Sequence, residues 1–294
     1  MFRYPGGKSK LKKSIVEIIK TYYSTTNYYT SCRYVEPFFG GGSVGRELLN
    51  SVCLIAINDY DIGIAAFWHA VMNNPEELCE YINNFKPHVD AFYKFKDIFL
   101  SDDLRDAVLV RKEYSLSYLG FMKMALHQMS FSGLGVKSGG PLGGASQESP
   151  YKIGCRWNSD SIEKKIWKLR QKLSRIDVLN GTCSYNDFGV FIKNVLMKST
   201  QNFIYLDPPY YKKGPELYQF SFDTDTHWRL ADTLREINCP WLLSYDCSEE
   251  IREIYDWAVI KEIDVINTIN TRSGSVSRKE FLIVDKKYKY LLKE

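Results

Sequence analysis

The segment Tyr34-Val35-Glu36-Pro37-Phe38-Phe39-Gly40-Gly41-Gly42-Ser43 constrains this chain more than any other. Tyr34-Val35-Glu36 reads as a short strand, and a proline followed by three consecutive glycines forces the backbone into a tight turn. Ser43 is placed to cap a helix running through Leu49. Val52 to Ile57 is then a nearly continuous apolar run, the mark of a parallel strand covered on both faces. Asn58-Asp59 ends it, and Ile62 to Met72 has helical spacing. Strand, glycine turn, helix, strand and acid make a βαβ unit, which needs a sheet with helices packed against it.

The rest of the chain fits that frame with one interruption. Upstream, Leu11, Ile15, Ile18, Ile19 and Tyr22 repeat at helical spacing between Lys8 and Tyr23. Residues 75–130 have mainly helical patterns, and Ser130 to Asn158 is rich in Gly, Ser and Pro, as an extended loop region would be. Helical spacing returns from Ser161 to Arg175, with Trp167, Leu169 and Leu173 among its apolar positions. Phe203 to Leu206 is a second buried-type strand, ending at Asp207-Pro208-Pro209-Tyr210. A helix near 225–237, a strand at Trp241–Tyr245 and a strand pair near 257–264 and 280–285 follow. The pattern predicts an α/β sheet that resumes after an insertion: 1–74 and 176–294 form the core domain and 75–175 the inserted lobe.

Composition sets bounds. Apolar residues are 45% and charged residues 25%, as in ordinary globular proteins. No run of about 18 apolar residues suits a membrane span, and the opening Met-Phe-Arg-Tyr-Pro-Gly-Gly-Lys has no secretory apolar stretch. Seven cysteines without a C-x-x-C pair fit reduced thiols, and four separated histidines give no metal pattern. The expectation is a cytoplasmic, metal-free protein. A net charge of +4, with 21 Tyr, 16 Phe and 6 Trp, permits nucleic-acid binding without establishing it.

Gly40-x-Gly42-x-x-Gly45, with Asp59 downstream, satisfies a dinucleotide fingerprint. Glycines let the backbone approach a ligand, and an acid after the second strand reaches ribose hydroxyls. NAD, FAD and S-adenosylmethionine all carry adenosine, so the fingerprint selects a class and not a cofactor; a glycine turn without a ligand stands beside it. The neighbourhood is more specific. Tyr4-Pro5-Gly6-Gly7-Lys8, Val35-Glu36-Pro37-Phe38-Phe39-Gly40-Gly41-Gly42-Ser43 and Asp207-Pro208-Pro209-Tyr210, in that order, resemble the DNA adenine-N6 methyltransferase family. The resemblance extends through Asn58-Asp59, Leu243-Ser244-Tyr245-Asp246 and Arg272-Ser273-Gly274-Ser275, and is weakest between about 75 and 175.

That resemblance implies a class I (Rossmann-like) methyltransferase sheet with an inserted, mainly helical DNA-recognition lobe. It implies S-adenosyl-L-methionine as cofactor, held by Tyr4, Lys8, Glu36, Pro37, Phe38, Gly40, Gly42, Ser43, Asp59 and Asp207. The partner it implies is double-stranded DNA, with no membrane and no obligate protein partner. Two positions depart from the family pattern, which often has Trp at Tyr4 and Asn at Asp61.

Asp-Pro-Pro-Tyr suits the chemistry so implied. The N6 amine of adenine is a weak nucleophile because its lone pair is delocalised, and positive charge reaches it as the new bond forms. A carboxylate accepting from N6 opposes that delocalisation and stabilises the charge. Asp207 and the Pro208 carbonyl would accept the two N6 hydrogens, and Tyr210 would stack on a base swung out of the duplex. The bland alternative is a proline turn after a strand.

For DNA contact the chain offers Lys123, His127, Lys137 and Arg156 around the glycine-rich segment, with solvated charges as the alternative for each; the family resemblance further implies Arg272, Arg278 and Lys279, near the carboxyl end, as clamps on the DNA backbone. His69 reads as a packing or surface residue. Competing functions are methylation of cytosine N4 or RNA adenine, an NAD-dependent oxidoreductase, and a non-catalytic DNA-binding protein.

Overall fold

The structure, a computed structural model, describes residues 2, 9–26, 31–199, 201–267 and 276–292. Its strands in chain order are β1 (Arg33–Glu36), β2 (Leu54–Ile57), β3 (Asp177–Val178), β4 (Asn202–Leu206), β5 (Trp241–Asp246), β6 (Val259–Asn267) and β7 (Val276–Val284). The chain divides into two compact units, Gly6–Asn58 with Asn186–Glu294, and Met1–Pro5 with Asp59–Tyr185.

The first unit holds a mixed sheet in the order β2-β1-β4-β5-β7-β6. β2, β1, β4 and β5 run parallel, with Val35 beside both Ala56 and Ile204, and Ile204 beside Trp241. β7 returns antiparallel to β5, and β6 closes the edge as its hairpin partner. Every residue of β1, β4 and β5 is buried, which is why these strands are mostly apolar and do not alternate, with polar residues (Arg33, Glu36, Asn202, Ser244, Asp246) that are buried as well. The unit's helices are α1 (Ser9–Thr26), α2 (Gly45–Leu48), α9 (Phe188–Lys198), α10 (Gly214–Leu217), α11 (Thr224–Glu236) and α12 (Glu249–Ile254). Leu11, Ile15 and Ile19 form the inward stripe of α1.

One local expectation fails here. Ser43 does not cap: α2 begins at Gly45, and its N-cap is Val44, with no side-chain bond. Gly42 lies at φ 64° and its N–H donates to Phe39 O at 2.7 Å, so the turn absorbs the residues that would have opened the helix.

The second unit contains β3 and α3 (Ile62–Asn73), α4 (Pro75–Asn84), α5 (Val89–Leu100), α6 (Leu104–Leu109), α7 (Leu116–Met129) and α8 (Ser159–Leu173). α3 and α7 are buried along most of their length and pack on each other. Gly120 makes this crossing possible, because a Cβ there would lie 2.5 Å from Phe67 Cα. The contact ties α3 to the helices after it, so the division at 58/59 and 185/186 falls outside the 75–175 span read from sequence. Between α7 and α8, two short 3-10 turns, Phe131–Gly133 and Gly135–Lys137, and a bridge from Ser130 to Pro141 order the glycine-rich segment.

Candidate active site

β1 and β4 are parallel neighbours, so the segments that follow them, Pro37–Gly42 and Asp207–Tyr210, leave the same edge of the sheet. In open α/β sheets this carboxyl edge is where ligands bind. Gly40 (φ 49°) and Gly42 (φ 64°) occupy the left-handed region that a side chain disfavours. Gly45 has a packing reason, since a Cβ there would sit 2.6 Å from the Phe39 ring and 2.7 Å from Glu36 Oε2. Glu36 is buried and accepts from Tyr34 Oη at 2.7 Å; burial, then the Glu36 charge, holds that phenol well above its usual pKa.

Asn58 fixes this edge. Its Nδ2 donates to Pro37 O and to Asn186 O, each at 3.0 Å, and its Oδ1 accepts from Asn186 N at 2.9 Å. The clamp places Asn186-Asp187-Phe188 beside the glycine turn, where Phe38 meets Phe188 and Phe222 with ring centroids 5.7 Å away in each case. Asp187 caps α9 through Gly189 N and pairs with Arg229 at 2.7 Å.

Asp207, half-buried, follows β4 directly. Ser244 Oγ, from the fully buried middle of β5, lies 3.2 Å from Asp207 Oδ1 and 3.0 Å from Tyr205 Oη. A carboxylate only accepts, so Ser244 donates to Asp207 and Tyr205 donates to Ser244. Tyr210 Oη donates to Glu280 Oε2 at 3.0 Å, and both side chains are buried. Asp246 accepts from Tyr211 N at 3.0 Å and Lys212 N at 3.2 Å, pinning the turn after the prolines to the end of β5. His227 underlies that turn: its ring lies 4.8 Å from Tyr211, and its Nδ1 is 2.5 Å from Tyr245 Oη. Burial lowers His227 to about 4 against the opposing pull of Asp246 and Asp223.

The other sequence-derived residues sit as follows. Tyr4, Lys8 and Arg272 lie outside the described residues, as does the side chain of Arg278, whose backbone pairs in β7 with Val265. Asp59 Oδ1 accepts from Asp61 N at 2.9 Å, forming the turn into α3. Lys123 is not presented to solvent: it is 1% exposed, its Nζ lies 2.5 Å from Asp61 Oδ2, and it covers the Phe99 ring. The departure at Asp61 therefore has two uses, capping α3 through Gly63 N and Ile64 N and neutralising a buried lysine. His127 is likewise buried, with Nδ1 2.9 Å from Gly133 O, and holds the turn that follows α7. Lys137 is exposed, and Arg156, half-buried, donates to Ser130 O at 3.4 Å. Lys279 is exposed on the edge hairpin and pairs with Glu262 at 3.0 Å. His69 packs against Thr182, Nδ1 to Oγ1 2.8 Å.

Sequence reading assigned no role to Asn58, Asn186–Phe188, Ser244, Asp246 or Glu280. An Asn directly after a buried strand and an Asp opening an apolar helix were signals for two of them; the others depend on sheet register.

The model of the family described as D12 class N6 adenine-specific DNA methyltransferase matches residues 4–130 and 152–269. The chain belongs to this family. The relatives of this D12 class enzyme include the Type II methyltransferase M1.LlaDCHI of Lactococcus lactis subsp. cremoris, 25% identical over 96% of this chain and 93% of the relative. Another is the Type II methyltransferase M.CviBI of Paramecium bursaria Chlorella virus NC1A, 22% identical over 93% of each chain. The D12 class chain is thus an N6-adenine DNA methyltransferase, with DNA as substrate and a methyl donor of the S-adenosylmethionine type. Among the described residues no helix is long and apolar enough to cross a membrane.

Proposed function

We propose that this enzyme transfers a methyl group from S-adenosyl-L-methionine to N6 of an adenine swung out of double-stranded DNA, with Asp207 as the group that accepts from the amine. The observation that carries this reading is a carboxylate at the carboxyl end of β4, oriented through one oxygen by Ser244. The Pro208 carbonyl takes the second N6 hydrogen. Tyr210 is buried, its hydroxyl anchored by Glu280, and would stack on the base only once its ring is uncovered. A hydrogen bond to a charged group contributes about 1.5–3 kcal/mol, and it strengthens as positive charge reaches N6.

The residues fit the donor. Glycines with positive φ leave the backbone after β1 free of side chains, and Phe38 adds a half-buried aromatic surface. When bound, that donor supplies an electrophilic methyl on a sulfonium. Tyr4, Lys8, Glu36, Pro37, Phe38, Gly40, Gly42 and Ser43 would hold it, and Asp59, two residues past β2, would hold its ribose.

Target choice is assigned to the segment between α7 and α8. The family match leaves 131–151 uncovered, so what distinguishes this enzyme's target belongs there more naturally than in the shared core. Lys137 and Arg156 remain its candidate DNA contacts, with Arg272, Arg278 and Lys279 as backbone clamps; Lys123 and His127 leave the set because they are buried. Methylome sequencing of DNA from cells expressing the protein tests the reading. N6-methyladenine in one sequence context is expected; another modified base, or none, overturns it.

A further inference from the structure

Helix α8 has two unlike faces. Ile162, Ile166, Leu169 and Leu173 are buried, and α8 packs through this stripe on α4 and α3. At 100° per residue, Lys164, Lys165, Lys168 and Lys172 fall within an arc of about 100° that flanks that stripe on one side. Lys164, Lys165 and Lys168 are exposed and line one open groove with Asn158, Asp160 and Ser161; Lys172 is half-buried, and exposed Arg175 follows the helix end. Among the described residues none of these five cations is in an ion pair. Of the two acids on α8, Glu163 is engaged elsewhere, by Asn83 Nδ2 at 2.7 Å and Trp167 Nε1 at 3.2 Å, and Asp160 shares the groove with the three exposed lysines, which leaves the groove an excess of positive charge.

Lys164–Lys168 and Lys168–Lys172 are like charges at i, i+4, each unfavourable where opposite charges would help. The apolar stripe already accounts for the packing of α8 and leaves Lys164, Lys165 and Lys168 turned to solvent. Lys164 to Lys172 spans about 12 Å of helix, and B-DNA presents one negative charge per about 1.7 Å of axis.

We propose that this face of α8 docks the phosphate backbone of duplex DNA without regard to sequence. It is distinct from Lys137 and Arg156, and it rests on the reading of DNA as the substrate. Lysine, a flexible point charge, suits phosphate contact more than base readout.

The test is the variant Lys164→Ala/Lys165→Ala/Lys168→Ala, which keeps good helix formers at exposed positions. Fluorescence anisotropy gives Kd for a duplex containing the target sequence and for one lacking it, across a salt series. The slope of log K against log salt should flatten by about three, one for each phosphate that a lysine no longer neutralises. Binding at about 0.1 M salt should weaken at least tenfold, equally on both duplexes. Cofactor affinity and the methylated sequence should be unchanged, and Tm unchanged or higher. A folded variant with wild-type Kd and slope overturns the proposal, as does loss confined to vesicles of anionic phospholipid. A wild-type protein that neither binds nor methylates DNA would instead overturn the functional reading itself.

Discussion

Ser244 Oγ stands 3.2 Å from Asp207 Oδ1, joining the fully buried middle of β5 to the first residue of the Asp-Pro-Pro-Tyr turn. Tyr205 continues the chain beneath it at 3.0 Å. Ser244 is a positioning residue, because it acts through Asp207. Ser244→Ala should lower the methyl-transfer rate about tenfold or more while leaving cofactor affinity and the KM for DNA near wild type. Tyr205→Phe should have a smaller effect in the same direction. Single-turnover kinetics with calorimetry of the cofactor would show this split, and an equal loss in kcat and cofactor affinity would speak against it.

The Lys123–Asp61 pair is structural. Removing one partner of a buried ion pair typically costs about 3–5 kcal/mol, because the other charge is left uncompensated. Lys123→Ala should therefore lower stability by that order in urea titration. The salt dependence of DNA binding by the folded fraction should not change. A stable variant with a flatter salt slope would return Lys123 to the DNA interface.

His227 makes stability depend on pH. Its folded pKa, about 4, lies below the ordinary histidine value of 6.5, so the unfolded chain binds more protons between these values. Its contribution is complete above about pH 6.5 and is lost as pH falls toward 4. The total is on the order of 3 kcal/mol by the shift itself. Burial lowers His69 in the same direction, so the measurement must be a difference. Wild type and His227→Gln should diverge least near pH 4 and most above 6.5 when ΔG of unfolding is followed by circular dichroism. Parallel curves across this window would exclude His227 as the source.

The parts legible in sequence were those written in contiguous residues. Val52–Ile57 was apolar because β2 is covered, and Gly40 and Gly42 were glycines because the turn needs positive φ. Asp207 was readable because two prolines follow a buried strand. Register was not readable. Ser244 reaches Asp207 across 37 positions and Asn58 reaches Asn186 across 128, and periodicity carries no sign of either. Lys123 and His127 were misplaced for a related reason. α7 is buried nearly all round, so a polar residue on it needs an internal partner, and the partner of Lys123 lies on the turn before α3.

The central claim is that the Asp207 carboxylate assists methyl transfer to adenine N6. The direct measurement is single-turnover transfer from labelled S-adenosylmethionine to duplex DNA by wild type and Asp207→Ala, with the product nucleosides resolved by mass spectrometry. The account predicts N6-methyladenine from the wild type and a rate at least about a hundredfold lower in the variant, the scale on which removing an electrostatic partner of a transition state acts. Comparable rates for the two proteins, or a wild-type product other than N6-methyladenine, would contradict it.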